Sequence, residues 1–172
     1  MSRIAPVTLE TAPDATRPLL EGVKKNIGFL PNVFATLAKS PVGLSAYLQI
    51  STALGKVSLT GKEKESIYLA TSQANGCDYC LAAHTLFGAK AGLSSEDILA
   101  ARQGELNAFA TLARQITETR GRLSDEQIAA ARAAGIDDAK LVEVVALIAA
   151  QTLTNYLNNL ALPDIDFPAI DA

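Results

Sequence analysis

The sequence predicts an all-α fold. Alanine, which has the highest intrinsic helix propensity, is the most frequent residue of the chain. No segment shows the alternating β-branched residues that are typical of a strand. Helix-start signals recur along the chain instead, and they precede apolar residues at helical spacing.

The N-terminal region is predicted to contain an irregular arm and three helices. The first helix is predicted over residues 14–26, because a proline is tolerated in a first helical turn. A Gly-Phe-Leu-Pro segment at residues 28–31 ends it. Asn32 and Ser40 are favoured N-cap residue types, so they predict a short helix followed by a longer one.

Two helices are predicted around the cysteines. Thr60 and Glu63 have the spacing of a capping box, which predicts a helix to about Ala74. The next two residues, Asn-Gly, are a turn signal. A second helix is predicted from Cys77 to near Gly92.

Four further helices are predicted after that pair. They are expected to begin near Ser94, Glu105, Ser124 and Asp137. The last of them has apolar residues on nearly every face, which predicts deep burial. These residues are Leu141, Val142, Val144, Val145, Leu147 and Ile148. Two prolines, Pro163 and Pro168, then predict an extended tail.

A chain of 172 residues is long enough for one sizeable domain, so a single helical domain is predicted over residues 1–172. A weak internal repeat divides this domain into a thiol-bearing half, about residues 28–103, and a degenerate half, about residues 104–160. The extended C-terminal tail takes up residues 161–172.

The repeat is defined by one spacing. A glutamate lies eight residues before a glutamine at Glu65 and again at Glu143. In this register each cysteine corresponds to an asparagine, Cys77 to Asn155 and Cys80 to Asn158. A chance match between two amphipathic helices is the alternative, and the sequence leaves it open.

Composition excludes several classes of partner. The net charge is −3, and no Lys/Arg cluster is present, which argues against nucleic acid and against an anionic membrane surface. The longest apolar run, residues 144–150, is too short to span a bilayer, and no signal peptide is recognisable. We therefore expect a soluble, cytoplasmic protein that binds neither nucleic acid nor membranes.

The segment Gly76-Cys-Asp-Tyr-Cys-Leu-Ala-Ala-His84 holds both cysteines and the only histidine. In a reducing compartment, a close cysteine pair is more often redox-active or metal-binding than structural. Residues three apart on a helix lie about 5–6 Å apart, within reach of a disulfide. His84 shares their helical face, so it can deprotonate the nearer thiol or stabilise its thiolate. This segment is the predicted site.

Two arguments disagree about which thiol is the nucleophile. The helix dipole favours Cys77 in the first turn, whereas the imidazole four residues away favours Cys80. We favour Cys80, because a paired base outweighs a dipole effect of roughly 0.3–1 kcal/mol. Glu65, in an apolar helix, is a candidate to orient His84 and to store a proton.

Less specific interpretations remain for the same residues. The cysteines could be buried and inert, and Glu65 could be an ordinary surface charge. The two thiols and His84 supply three zinc ligands, whereas closed structural zinc sites take four. We expect neither a metal nor a cofactor.

Glu65 followed by Cys77-x-x-Cys80-x-x-x-His84 resembles the alkylhydroperoxidase AhpD-like, carboxymuconolactone decarboxylase superfamily. Three further segments look similar to its peroxidase-related branch. They are residues 28–32, 154–159 and 164–168.

The resemblance implies an all-helical, oligomeric, thiol-dependent peroxidase, as a trimer or hexamer. It implies that Cys80 attacks the hydroperoxide, that Cys77 is its exposed resolving partner, and that Glu65 and His84 form a proton relay. An external dithiol or a partner redox protein would restore the thiols. Tyr79 stands where the best-studied members have a second histidine, and a phenol is a poor base near neutral pH.

Two other functions fit the same residues. One is a lactone-processing or decarboxylating enzyme in which His84 and Glu65 perform acid–base chemistry and the cysteines are incidental. The other is a non-enzymatic, oligomeric redox-sensing module that uses the cysteine pair as a switch.

Overall fold

Nine α-helices make up the regular structure of residues 2–167, the part of the chain that the computed structural model describes. No strand occurs within these residues, and the all-α prediction is confirmed. The helices are α1 Arg17–Ile27, α2 Asn32–Leu37, α3 Pro41–Leu54, α4 Gly61–Ala74, α5 Asp78–Ala91, α6 Ser95–Gln103, α7 Ala108–Thr119, α8 Asp125–Ala133 and α9 Asp138–Ala161.

Most helices begin where the capping signals predicted them. The side-chain oxygen of the N-cap residue accepts a backbone N–H from the first turn in each case, which satisfies one donor that lacks an intrahelical partner. These N-cap residues are Ser40, Thr60, Ser94, Asn107, Ser124 and Asp137. Helix α7 therefore begins after Asn107 rather than at Glu105 as predicted.

Asn32 was predicted to cap a helix, and this prediction is wrong. The N-cap of α2 is Pro31, and Asn32 is the first helical residue. Its backbone N–H donates to Asp166 Oδ2 at 2.7 Å, and its side-chain Nδ2 donates to the carbonyl oxygen of Asp164 at 2.9 Å. Asn32 thus holds the C-terminal tail against α2.

Helix α4 lies at the centre of the molecule and packs against α5, α6, α7 and α9. Ile67 of α4, Leu112 of α7 and Leu147 of α9 are almost completely buried in one apolar cluster. A second cluster joins α1, α2 and α3 to both cysteines and to Phe167 of the tail. Full burial of a leucine or isoleucine side chain stabilises a fold by about 1.5–3 kcal/mol. The cysteine segment is therefore anchored in a core.

Helix α9 was predicted to be buried on nearly every face, but only one side of it is. Val144 and Leu147 are fully buried, whereas Val142 is 70% exposed and Val145 is 52% exposed. The reason is that the neighbouring helices cover α9 from one side within a single chain. Its apolar outer side consists of Val142, Val145, Leu153, Tyr156 and Leu160, which we call the outer stripe of α9.

The two segments of the predicted repeat differ in backbone. Helices α4 and α5 are separated by the turn at Asn75-Gly76, whereas α9 continues unbroken from residue 151 through residue 158. The tail to Phe167 contains no helix, and the predicted tail residues from Pro168 onward lie outside the described part of the chain. Within residues 2–167, no helix has the length and apolar character that crossing a membrane requires.

Candidate functional site

The turn between α4 and α5 positions the cysteines. Gly76 has φ +62°, a left-handed conformation that glycine adopts without steric cost. The backbone N–H of Cys77 then donates to the carbonyl oxygen of Ser72 at 3.0 Å. Cys77 is consequently the N-cap of α5 rather than its first residue, and its Sγ accepts the N–H of Cys80 at 3.3 Å.

Both cysteines are free thiols, and both are buried. Cys80 is 3% exposed and Cys77 is 0% exposed, so the expectation of an exposed Cys77 is wrong. Cys77 is covered because it lies in the turn at the start of α5, inside the second apolar cluster.

The two thiols differ in acidity. A hydrogen bond from the Cys77 thiol lowers the pKa of Cys80, as do side-chain donors from Asn158, Asn155 and Thr154, and together they outweigh burial. The same bond to Cys80, together with burial, raises the pKa of Cys77. Hydrogen bonds to a charged form favour it, so Cys80 is the more acidic thiol of the pair.

The side chain of His84 is held from both sides. Its Nδ1 lies 2.8 Å from Glu65 Oε2, the contact that the sequence predicted, and its Nε2 lies 3.0 Å from Gln151 Oε1. Gln151 Nε2 donates in turn to Ser72 Oγ at 2.9 Å. The ring of Tyr68 packs on the imidazole with its centroid 4.7 Å away.

These contacts define where a proton can reside. The amide oxygen of Gln151 can only accept, so Nε2 of His84 carries a hydrogen. The 2.8 Å contact between Nδ1 and Glu65 Oε2 is a hydrogen bond in which either atom can carry the hydrogen. Glu65 and His84 therefore form a unit that can release and recover one proton.

The expected direct pairing of His84 with Cys80 is wrong. Both ring nitrogens of His84 are engaged by Glu65 and Gln151. The sulfur of Cys80 instead accepts from Asn158 Nδ2 at 3.3 Å. The i, i+4 spacing placed the two residues on one helical face, but it could not show that α9 supplies closer partners to both.

A cavity of about 110 Å³ connects Cys80 with His84. Aromatic and aliphatic side chains form most of its wall, and Gln151, Thr154 and Asn158 contribute polar groups. Burial raises the pKa of Tyr47, which also lines the cavity, to about 12, so its phenol is protonated at neutral pH. The apolar part of the wall includes Ile27, Val33, Phe34, Ala83, Phe87 and Phe167.

Tyr79, the residue before Cys80, connects the site to the tail. Its hydroxyl donates to Asp166 Oδ1 at 2.7 Å and accepts the backbone N–H of Val33 at 3.1 Å. Burial, with the hydrogen bond to Asp166, raises its pKa. The phenol is thus held protonated and does not serve as a base.

Sequence reasoning assigned no role in the site to Gln151, Asn155 and Asn158, although it noted them as repeat partners. All three are buried on α9 and face the cysteine segment. The available signal was their helical spacing on an otherwise apolar helix, because buried amides require partners.

No metal centre is evident in this arrangement. Among residues 2–167, His, Cys, Asp and Glu side chains do not form a group of three or more that could hold a metal ion. The nitrogens of His84 are directed to Glu65 and Gln151 rather than to the sulfur atoms.

Comparisons with solved structures support the fold over nearly the whole chain. An uncharacterized peroxidase-related protein from Ralstonia eutropha JMP134, described as an alkylhydroperoxidase AhpD core, is 26% identical, with a TM-score of 0.83 over 96% of this chain and 92% of that chain. A peroxidase-related protein from Silicibacter sp. TM1040 is 19% identical, with a TM-score of 0.77 over 93% and 91%.

A third similar structure is a variant of the debrominase Bmp8 in complex with 2,3,4-tribromopyrrole. It is 20% identical, with a TM-score of 0.78 over 96% of this chain and 92% of that chain. No curated protein shows significant sequence similarity to the chain.

The family match covers the helices that carry the site. Residues 41–119, which include Glu65, both cysteines and His84, match the carboxymuconolactone decarboxylase family. The structural likeness to the Ralstonia eutropha protein covers 96% of the chain, α9 included. The chain thus has the AhpD-like helical fold and is similar to the carboxymuconolactone decarboxylase family over residues 41–119.

Proposed function

We propose that this protein is a thiol-dependent peroxidase that reduces small hydroperoxides through Cys80 and Cys77. One observation carries the proposal: the more acidic thiol, Cys80, and the proton-holding residue His84 line the same small, mainly apolar cavity. A nucleophile and a proton source that line one cavity suit a reaction that both attacks an O–O bond and protonates a leaving group.

The first step is attack of the Cys80 thiolate on the terminal oxygen of the hydroperoxide. The S–O bond forms as the O–O bond breaks, which gives a sulfenic acid on Cys80 and an alkoxide. Sulfur loses two electrons, and the hydroperoxide gains them. The alkoxide takes the proton held between Glu65 and His84 and leaves as an alcohol, or as water when the substrate is hydrogen peroxide.

The second step joins the two cysteines. The sulfur of Cys77 attacks the sulfenic sulfur of Cys80, a disulfide forms, and the hydroxyl leaves as water with the thiol hydrogen of Cys77. An external dithiol, or a partner redox protein that carries one, then reduces the disulfide by thiol exchange. Because Cys77 is buried, we place the attack of this dithiol on Cys80, from the cavity. The cytoplasmic location expected from the sequence would supply such reductants.

The cavity limits the substrate class. A volume of about 110 Å³ with a mainly apolar wall suits hydrogen peroxide and short alkyl hydroperoxides. The buried phenol of Tyr47 and the rings of Phe34 and Phe87 provide an apolar surface for a short alkyl group.

The test is peroxide consumption with a panel of dithiols, comparing wild type with Cys80→Ser and Cys77→Ser. We expect turnover in wild type and none in Cys80→Ser. In Cys77→Ser the sulfenic acid has no internal resolving thiol, so we expect slower turnover, at the rate at which the external dithiol attacks Cys80 directly. Asp78→Asn is the control, because Asp78 lies on α5 but is exposed.

The two alternative functions give different results after thiol alkylation. Alkylation abolishes a thiol peroxidase. It spares lactone chemistry by Glu65 and His84, and it locks a redox sensor in one state without any turnover to lose. Peroxide consumption that persisted in Cys80→Ser would reject the proposal.

A further inference from the structure

One buried polar atom at the cavity has no partner. Asn158 is 3% exposed, lies on α9 and lines the cavity beside Cys80. Its Nδ2 donates to the sulfur of Cys80, but its Oδ1 has no hydrogen-bond partner among the described residues. Buried carbonyl oxygens are rarely left unpaired, so an acceptor of this kind at a cavity indicates a missing donor.

The chemistry of Cys80 fixes which end of the amide is free. The form of Cys80 that attacks a hydroperoxide is the thiolate, which has no hydrogen to donate. In that form the amide presents its N–H to the sulfur, and its oxygen is the atom that remains. Asn155, one turn earlier on the same helix, differs in this respect. Its Oδ1 accepts from Asn75 Nδ2 at 2.9 Å, and its Nδ2 donates to Ser72 Oγ at 3.2 Å.

We propose that Asn158 is a catalytic residue whose Oδ1 accepts the O–H hydrogen of the hydroperoxide and thereby aims its terminal oxygen at Cys80. The donor that the amide oxygen lacks is then supplied by the substrate. Nδ2 and Oδ1 belong to one rigid amide group, so the same side chain contacts both the attacking sulfur and the oxygen that it attacks. This inference rests on the proposed peroxidase function.

The hydrogen bond from the hydroperoxide O–H to Asn158 Oδ1 is compatible with both the reactant and the sulfenic acid product. The O–H hydrogen stays on the terminal oxygen when that oxygen moves to sulfur, because the product is a sulfenic acid with its own O–H. The alkoxide, not this oxygen, takes the proton from Glu65 and His84. Oδ1 of Asn158 can therefore hold the same hydrogen before and after the O–O bond breaks. A group placed in this way orients the reacting atoms and lowers the barrier through positioning.

The test compares two reagents on the same thiolate. Hydrogen peroxide can donate to Oδ1, whereas methyl methanethiosulfonate has no O–H or N–H. The rate of Cys80 modification by each is measured by mass spectrometry at the alkaline plateau, where the thiolate is fully formed. The ratio of the two rates removes effects on thiolate formation and on general access.

We expect Asn158→Ala to lower the ratio of the peroxide rate to the thiosulfonate rate by about 5–10-fold, the effect of one hydrogen bond. Asn158→Asp keeps the shape and the acceptor oxygens, so it is expected to keep the ratio within about twofold of wild type. Asn155→Ala is the matched control. It removes a buried amide from the same helix, and both rates are expected to change together.

The inference would be overturned if Asn158→Ala left the ratio of the peroxide rate to the thiosulfonate rate unchanged. It would also be overturned if Asn155→Ala lowered this ratio as much as Asn158→Ala does. If Asn158→Ala does not fold, the isosteric Asn158→Asp is used instead. A lowered ratio of the peroxide rate to the thiosulfonate rate in Asn158→Asp is incompatible with an acceptor role, because this variant keeps the acceptor oxygens. Every thiolate reacts with hydrogen peroxide to some extent, so the ratio can be measured even without turnover. Absence of turnover with all dithiols would reject the peroxidase, whereas the ratio tests Asn158 alone.

Discussion

Tyr79 and Asp166 are joined by a 2.7 Å hydrogen bond that ties the first turn of α5 to the C-terminal tail. The other carboxylate oxygen of Asp166 accepts the backbone N–H of Asn32 at the start of α2. Phe167, the next residue, packs edge-on against the rings of Phe29 and Tyr79. The tail therefore forms part of the cavity wall, and Tyr79 has a structural role in holding it there.

Removing the Tyr79 hydroxyl is expected to destabilise the fold. Tyr79→Phe leaves the Asp166 carboxylate and the N–H of Val33 each without one partner. We expect a loss of about 1–3 kcal/mol in the free energy of unfolding, measured by denaturant titration. Tyr156→Phe is the control, because Tyr156 is 62% exposed, and it is expected to change little. Equal stabilities of the two variants would show that the Tyr79 contacts contribute nothing.

Cys77 and Cys80 are expected to form a reversible intramolecular disulfide under mild oxidant. The thiols already share a hydrogen bond, so little movement is needed for the sulfur atoms to meet. Mass spectrometry of the oxidised protein should show the loss of two hydrogens without a covalent dimer, and a dithiol should restore the starting mass. Free thiols that persist after a peroxide pulse would contradict this expectation.

Cys80 is expected to become reactive at a lower pH than an ordinary cysteine. The hydrogen bond from the Cys77 thiol holds the pKa of Cys80 below the ordinary value of a cysteine, so the thiolate fraction and the alkylation rate rise at a lower pH. Cys77→Ala removes the first of the donors that cause this shift. In Cys77→Ala, the iodoacetamide labelling of Cys80 should therefore rise at a higher pH than in wild type. An unchanged pH profile would show that the other donors, not Cys77, lower the pKa of Cys80.

Glu65→Gln is expected to slow the reaction of Cys80 with hydroperoxides. Gln keeps the shape of Glu65 but cannot share a proton with His84, so the leaving alkoxide loses its proton source. General acid–base groups typically contribute about 10²–10⁴-fold, and a decrease in this range is expected in stopped-flow peroxide assays. Alkylation by iodoacetamide needs no such proton and should change less. Asp78→Asn serves as the exposed control on α5, and a peroxide rate in Glu65→Gln equal to that of the control would make Glu65 an ordinary helix residue.

The protein is expected to form a homo-oligomer through the outer stripe of α9. Light scattering should give three or six times the 18.0 kDa chain mass, as the family resemblance implies. Val145→Lys, within the stripe, should shift the mass toward the monomer. Val42→Lys makes the same change at an exposed valine of α3 and should not. A wild-type monomer at micromolar concentration would exclude this assembly.

The sequence predicted the fold class and the positions of most helices, because N-cap residues and helical spacing are local signals. Thr60 and Glu63 form the predicted capping box, and Asp137 begins the last helix as expected. The prediction that Asn32 caps a helix is wrong because its side chain donates to the distant tail instead of capping its own helix. Contacts between segments far apart in the chain leave no such local signal.

At the site, too, contacts that follow from local signals were predictable, and contacts with distant segments were not. The Glu65–His84 contact was predictable, since the Asn-Gly turn returns α5 along α4. The partners from α9 were not, because nothing local shows that Gln151 engages the second nitrogen of His84 or that Asn158 engages Cys80. The burial of Cys77 likewise depends on elements more than twenty residues away in the chain.

Helix α9 contributes to two surfaces at once. Its inner side supplies the amides of Gln151 and Asn158 to the site, and its outer stripe is exposed to solvent in a single chain. A helix is only about 10–12 Å across, so a subunit docked on the stripe would lie within that distance of the amides. A subunit bound to the outer stripe would restrain helix α9, and the opposite side of this helix sets the geometry around Cys80. For the oligomer predicted above, dilution of the protein is therefore expected to change the reactivity of Cys80 with no change in any residue of the site.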